Sequence, residues 1–356
     1  MLGSDPIGGG GHADIFSARY DEQLVALKRF RTFCIPKERA KFHRSFLKEA
    51  LLWRQLKHDH ILQLIGIDED SFRPLPCMVS AWMPNGTIVD YVSTLLDPVT
   101  AIEDINELLR QVISGIAYLH GEDIVHGDLK GANVLIGENK QVRLSDFGLA
   151  DLIDMLNGDS TTGRGSARWM APELHFPEQF MLTFRRTTSS DMYAFGFVCL
   201  EVFSGHVPFH WIRQDSNIVL RVVQGERPPR PTRDECHGRE MPDDMWNLIT
   251  SCWEHYPEHR PCASTVDAAL SAARNQSIAL RPSSAPVPAM PVGDTLDQDT
   301  VHTSCCDITF DDERFARHIA DHHKQSSAAG LPEVQGTMTS ADPLKPAHKS
   351  RNKKNR

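Results

Sequence analysis

Residues 124–148 read IVHGDLKGANVLIGENKQVRLSDFG, and the rest of the chain is organised around them. Asp128, Lys130 and Asn133 fall on one tight loop. A short apolar strand pair follows, and Asp146 leads directly into Phe147 and Gly148. Two acids and an amide are thereby directed to one place, with a lysine beside them. Carboxylate and amide oxygens are the hard donors that Mg2+ takes, and an ammonium group neutralises phosphate oxygens. The stretch reads as equipment for holding metal ions and a phosphate chain.

The order and spacing of His126, Asp128, Lys130 and Asn133, with Asp146-Phe147-Gly148 downstream, resemble the catalytic and metal-binding loops of eukaryotic protein kinases. The resemblance implies that Asp128 accepts the proton of the acceptor hydroxyl and that Lys130 steadies the transferring phosphoryl group. It also implies that Asn133 and Asp146 hold Mg2+. One position departs from the pattern. Gly127 stands where most kinases carry the arginine that grips a phosphorylated activation loop, so that clamp is missing while the catalytic groups remain.

Downstream, residues 146–173 correspond to an activation segment, with Ser160, Thr161, Thr162 and Ser166 ahead of ARWMAPE at 167–173. By resemblance, Ser166 is the hydroxyl residue that bridges the catalytic aspartate and lysine in Ser/Thr kinases. Lys130 favours the same branch, and GSARWMAPE is similar to the tyrosine-kinase-like group of Ser/Thr kinases. An ion pair between Glu173 and Arg260 is implied in the same way. TSSDMYAFGFVCLEVFS at 188–204 is apolar almost all round, which predicts a central buried helix. Asp191 at its start is placed to accept backbone N–H groups of the catalytic loop. Residues 243–256 and 263–274 read as two further amphipathic helices.

Upstream, Ile105, Leu109, Val112, Ile116 and Leu119 share an apolar helical face that ends immediately before the catalytic loop. At the other end of the chain, IGGGGHADIF (7–16) sets Gly8 and Gly10 in GxGxxG register, with Ala13 at the third glycine position. The alternation that follows, through VALK at 25–28, predicts a β-hairpin rather than the strand-turn-helix of a dinucleotide fold. Residues 1–6 alone precede this turn, so the first strand is expected to be barely present and the start of the chain truncated.

Strand alternation puts Ala26 and Lys28 on one face and Val25 and Leu27 on the other. From residue 36 to 57, Phe42, Phe46, Ala50, Trp53 and Leu56 form a helical stripe that also carries Glu49. A carboxylate on a buried face needs a cation, so Glu49 and Lys28 are expected to pair. The kinase resemblance implies that this pair sets Lys28 on the α- and β-phosphates of ATP. It further implies a nucleotide site of Gly8, Gly10, Ile15, Ala26 and Leu135, with Ser80 as gatekeeper and residues Ala81 to Met83 as the hinge.

A net charge of −9 and a pI near 6.0 argue against a chain that coats nucleic acid, and no nucleic-acid partner is expected. The eight cysteines show no CxxC spacing and read as free thiols of a reducing, cytoplasmic compartment. The terminal KPAHKSRNKKNR (345–356) resembles a nuclear-import patch, though a solvated basic tail is the favoured reading. The longest apolar stretch, 192–203, contains Glu201 and is too short for a membrane span. Beyond Arg274 the composition turns to Pro, Ser, Thr and His, so residues 275–356 are expected to be mostly disordered.

These readings converge on an α+β, bilobal protein-kinase-like fold with a small lobe over 1–80, a hinge over 81–83 and a helical lobe over 84–274. The expected activity is an ATP- and Mg2+-dependent protein kinase acting on Ser/Thr hydroxyls of protein substrates. Two rivals remain: a nucleotide-binding scaffold, favoured by Ala13 and Gly127, and a small-molecule phosphotransferase, disfavoured by the APE segment.

Overall fold

The computed structural model describes residues 5–9, 13–31, 39–147 and 166–280. Strand β1 (Gly8–Gly9) lies antiparallel to β2 (Ala13–Tyr20), which forms a hairpin with β3 (Gln23–Phe30). The hairpin turn is Asp21-Glu22, with φ of 44° and 66°. Two consecutive left-handed residues give a turn whose twist matches that of the strands, here without the glycine that usually supplies it. Phe16, Val25, Leu27 and Cys77 bury together on one face of the sheet. Ala26 and Lys28 project from the other face, as alternation requires.

Helix α1 (Arg39–Gln55) turns its stripe inward: Phe42, Phe46 and Ala50 are fully buried and Trp53 nearly so. The Phe30 ring meets those of Phe42 and Phe46 at 6.2 and 6.0 Å. Burying each of these side chains contributes about 1.5–3 kcal/mol, which explains why the helix sits against the sheet despite its polar average. Its expected start at residue 36 lies outside the described residues, and its end falls before the expected 57. Strands β4 (Leu64–Asp68) and β5 (Cys77–Ala81) complete a sheet ordered β1-β2-β3-β5-β4.

The helical lobe begins with α2 (Ile88–Ser93), capped reciprocally by Thr87 and Asp90, and α3 (Pro98–Gly121), capped by Asp97 with Pro98 in its first turn. The hairpin β6 (Val134–Ile136) and β7 (Val142–Leu144) follows, then the short α4 (Pro172–His175). Helix α5 (Thr188–Ser204) is buried at every position from Ser190 to Ser204, between an N-cap at Thr187 and a left-handed Gly205. α6 (Asp215–Val223) lies against α4, α7 (Asp243–Cys252) packs against α5, and α8 (Ala263–Leu280) packs against α3. Gly196 admits α7 closely, since a Cβ there would come within 3.1 Å of Cys252 Cβ and 3.2 Å of the Ile249 carbonyl.

Two further helix ends differ from expectation. α7 stops at Cys252 rather than 256 because Pro257 starts a separate 3-10 turn and disfavours helical backbone at Tyr256. α8 continues past 274 to Leu280. The bilobal architecture is as expected: a five-stranded sheet with one long helix, then a helical lobe. No described helix is long and apolar enough to cross a membrane. Cys77, Cys199, Cys236, Cys252 and Cys262 are free thiols. The C-terminal tail beyond 280 lies outside the described residues.

Candidate active site

Between α3 and β6 the chain forms the catalytic-type loop, and α5 holds it from below. Asp191 is 1% exposed and accepts from the backbone N–H of His126 (2.7 Å) and of Gly127 (2.9 Å); His120 Nε2 lies 2.9 Å from the same carboxylate. Gly127 has φ of 78°, a conformation that costs a non-glycine residue of order 1–3 kcal/mol. A second acid of α5 acts one turn further along the loop. Glu201 Oε2 accepts from Gly131 N and from the Trp169 indole, each at 2.9 Å. The loop is therefore tied at both ends to one rigid, buried helix.

On this support Asp128, Lys130 and Asn133 converge. Lys130 Nζ donates to Asp128 Oδ2 (2.7 Å) and to Ser166 Oγ (3.0 Å), and Asn133 Nδ2 donates to the Asp128 carbonyl (2.7 Å) and to its Oδ2 (3.2 Å). Burial pushes the Asp128 carboxyl up, but the Lys130 charge and the hydrogen bonds from Lys130 and Ser166 outweigh it and hold the group below the usual range. It stays ionised and ready to accept a proton. Ser145 donates to the Asn133 carbonyl through both N and Oγ (2.9 and 3.0 Å), which ties the residue before Asp146 to the same loop. With Nδ2 engaged, Asn133 offers its amide oxygen and Asp146 its carboxylate, an all-oxygen donor set that suits Mg2+.

From the small lobe Lys28 reaches the same place, and its partner differs from the expected one. Its Nζ lies 2.5 Å from Asp146 Oδ1, so the ammonium joins β3 to the Asp146 segment rather than making the anticipated link to Glu49. Asp146 itself adopts φ of 63°. That left-handed turn sends Phe147 inward, where its ring meets Trp53 of α1 at 5.5 Å and the buried His126 at 6.3 Å. The Trp53 indole donates to the Leu62 carbonyl at 2.5 Å. A continuous line of packed rings thus runs from α1 to the loop and on to Asp191.

The other residues expected at the nucleotide lie on or directly after strands β1, β2, β3, β5 and β6, Gly10 excepted. Ala26 and Ile15 are half-buried on β3 and β2; Ile15 pairs in register with both Gly8 and Lys28. Gly8 is exposed, and Gly10 lies outside the described residues. Leu135 is half-buried while its neighbours Val134 and Ile136 are fully buried, so it faces opposite to the core. Ser80 is 7% exposed between Ala26 and Leu64 in register. Trp82 N donates to the Leu24 carbonyl (3.2 Å), making 82 and 24 a bonded antiparallel pair. Pairing alternates, so the backbone groups of Ala81 point away from β3. The Met83 carbonyl accepts from Gly86 N.

Sequence reasoning missed the role of Glu201, although an acid within the apolar run 192–203 was the available signal. Burial pushes its carboxyl up to about 7, against the opposing effects of the Gly131 and Trp169 hydrogen bonds. Because the folded chain binds this proton more tightly, the associated stability is present below the ordinary 4.5 and is lost as pH rises to about 7. Replacing Glu201 with Gln should remove up to ~3 kcal/mol of pH dependence across that window, measurable as denaturant midpoints at pH 5 and 8. An unchanged pH profile in the variant would show that Glu201 does not titrate there.

The pair expected between Glu173 and Arg260 is present, at 2.6 and 2.8 Å. The family model described as "Protein tyrosine and serine/threonine kinase" matches residues 3–270. The chain belongs to this protein kinase family. Among curated relatives, it is 28% identical over 262 residues to the serine/threonine-protein kinase STY46 of Arabidopsis thaliana, covering 73% of this chain and 42% of that protein. It is 29% identical over 262 residues to the serine/threonine/tyrosine-protein kinase HT1 of the same plant, covering 73% and 63%. To the tyrosine-protein kinase Src64B of Drosophila melanogaster it is 28% identical over 258 residues, covering 72% and 43%. The chain thus spans about two fifths to two thirds of the length of these relatives.

Proposed function

We propose that this protein kinase transfers the γ-phosphoryl group of ATP, with Mg2+, to Ser and Thr hydroxyls of protein substrates. The observation that carries the choice of acceptor is the Lys130 ammonium bridging Asp128 Oδ2 and Ser166 Oγ. This bridge joins the base to the segment on which a peptide acceptor would lie. Asp128, held ionised and oriented by Lys130 and Asn133, receives the hydroxyl proton as the oxygen attacks. Lys130 then lies beside the oxygens of the transferring group, and Lys28 anchors the phosphate chain from the other side. Asn133 and Asp146 are the residues that would hold Mg2+, which would supply charge neutralisation for the phosphates.

The names of the relatives span Ser/Thr, dual and Tyr specificity, so the acceptor reading rests on the bridge and not on them. Three peptides identical but for Ser, Thr or Tyr at one acceptor position provide the test. Phosphate on Ser and Thr with Tyr at least about tenfold slower is expected, a discrimination of ~1.4 kcal/mol. Comparable rates on Tyr would contradict the assignment.

A further inference from the structure

Asp14 directly follows Ala13, the residue that replaces the third glycine of the phosphate-loop pattern. It is nonetheless 6% exposed, and three charge-assisted bonds converge on it. Arg29 Nη2 donates to Oδ2 at 2.7 Å; Arg31 Nε and Nη2 donate to Oδ1 at 2.8 and 2.5 Å. The hydrogen bonds from Arg31 and Arg29 hold the Asp14 carboxyl below its usual range in spite of burial. Arg29 is itself fixed, its guanidinium lying 4.9 Å from the Phe16 ring centre and 5.1 Å from that of Phe72.

The register gives this cluster its meaning. Asp14 sits opposite Gly9 on β1 and opposite Arg29 on β3. Arg31 Nη2 covers Gly9 so closely that a Cβ there would come within 3.2 Å of it. The Asp14 carboxylate therefore holds β2 to β3 and to Arg31, whose guanidinium lies against Gly9 of β1. Among the described residues β1 is two residues long, with one more backbone bond beside it, from Ile7 N to the Ile15 carbonyl at 2.9 Å. Lys28, one residue before Arg29, projects from the opposite face of β3 toward the cleft.

We propose that Asp14 is a positioning residue for the ATP phosphate chain: with Arg29 and Arg31 it clamps the strands on which the glycine-rich turn is mounted. This rests on the ATP-dependent reading above. An asparagine at 14 keeps the shape but turns an NH2 toward a guanidinium, so the clamp loses its charge and one side of its bonding. Only a ligand that uses the turn should notice.

The test compares ATP with adenosine, which has the same base and sugar and no phosphates. For D14N the KM for ATP should rise about tenfold, whereas the inhibition constant of adenosine and the KM of the protein acceptor stay within about twofold. Asp14→Glu should recover most of the ATP affinity. Arg31→Gln removes bonds from a half-exposed side chain and serves as the second variant if D14N proves unstable. Equal weakening of ATP and adenosine, or an unaltered KM for ATP, would overturn the proposal. Wild-type protein that neither turns over ATP nor is inhibited by adenosine would instead overturn the ATP-dependent reading itself.

Discussion

Asp128→Asn should lower kcat by about 100- to 10,000-fold while the KM for ATP changes little, because only the proton acceptor is removed. The amide is isosteric, and its oxygen can still accept from Lys130, so the loop's geometry survives. What is lost is a group held ionised by the Lys130 charge at 2.7 Å and oriented by Asn133. Steady-state kinetics with the thermal midpoint recorded alongside separate this from unfolding. Retained turnover would mean that the hydroxyl proton leaves by another route and that Asp128 serves only to hold Lys130.

The largest stability effect is expected from Arg260. Its side chain is 0% exposed, and each of its five N–H donors has an acceptor: both Glu173 oxygens and the carbonyls of Ser189, Glu254 and His255. The Tyr193 ring lies 5.0 Å from the guanidinium. Arg260→Met leaves Glu173, 4% exposed, as an unpaired buried charge together with orphaned carbonyls. The cost is about 3–5 kcal/mol, because removing one member of a buried pair strands the other. For a domain of this size that corresponds to a fall of roughly 10 °C in thermal midpoint. Adding Glu173→Leu should restore a large part of it, since the stranded charge is then gone. A single variant as stable as wild type would show that Glu173 is solvated or neutralised by other means.

The loop departure at Gly127 constrains regulation as well. Of the arginines in the activation segment, Arg168 is committed to the carbonyls of Pro208, Phe209 and Ile212 and to Asp215. Arg164 and the candidate phosphosites Ser160, Thr161 and Thr162 lie outside the described residues.

Much of the site was legible because kinase chemistry is carried by closely spaced polar residues on short loops. Asp128, Lys130, Asn133 and Asp146 lie within one stretch, and Asp191 announces itself at the head of an apolar helix. Pairings between distant elements were legible only through family resemblance, as with Glu173 and Arg260. Where such a pairing depends on the relative placement of a strand and a helix, periodicity gives a face but no distance. Lys28 was thus assigned to Glu49, while the nearby Asp146 carboxylate takes its ammonium in this structure. Glu201 and Asp14 were missed for a related reason: their partners are backbone N–H groups and arginines whose proximity arises only on folding. The hairpin turn escaped notice because Asp21-Glu22 lacks the glycine that marks such turns.

The central claim is that Lys28, Asp128, Asn133 and Asp146 form a working phosphotransfer site rather than a nucleotide-binding relic. It is tested most directly by following labelled γ-phosphate from ATP to a basic protein acceptor, with Mg2+ and with a chelator, for wild type and Asp128→Asn. Mg2+-dependent labelling by wild type and at least about a 100-fold loss in the variant are expected. Nucleotide binding without transfer by the wild-type protein would contradict it.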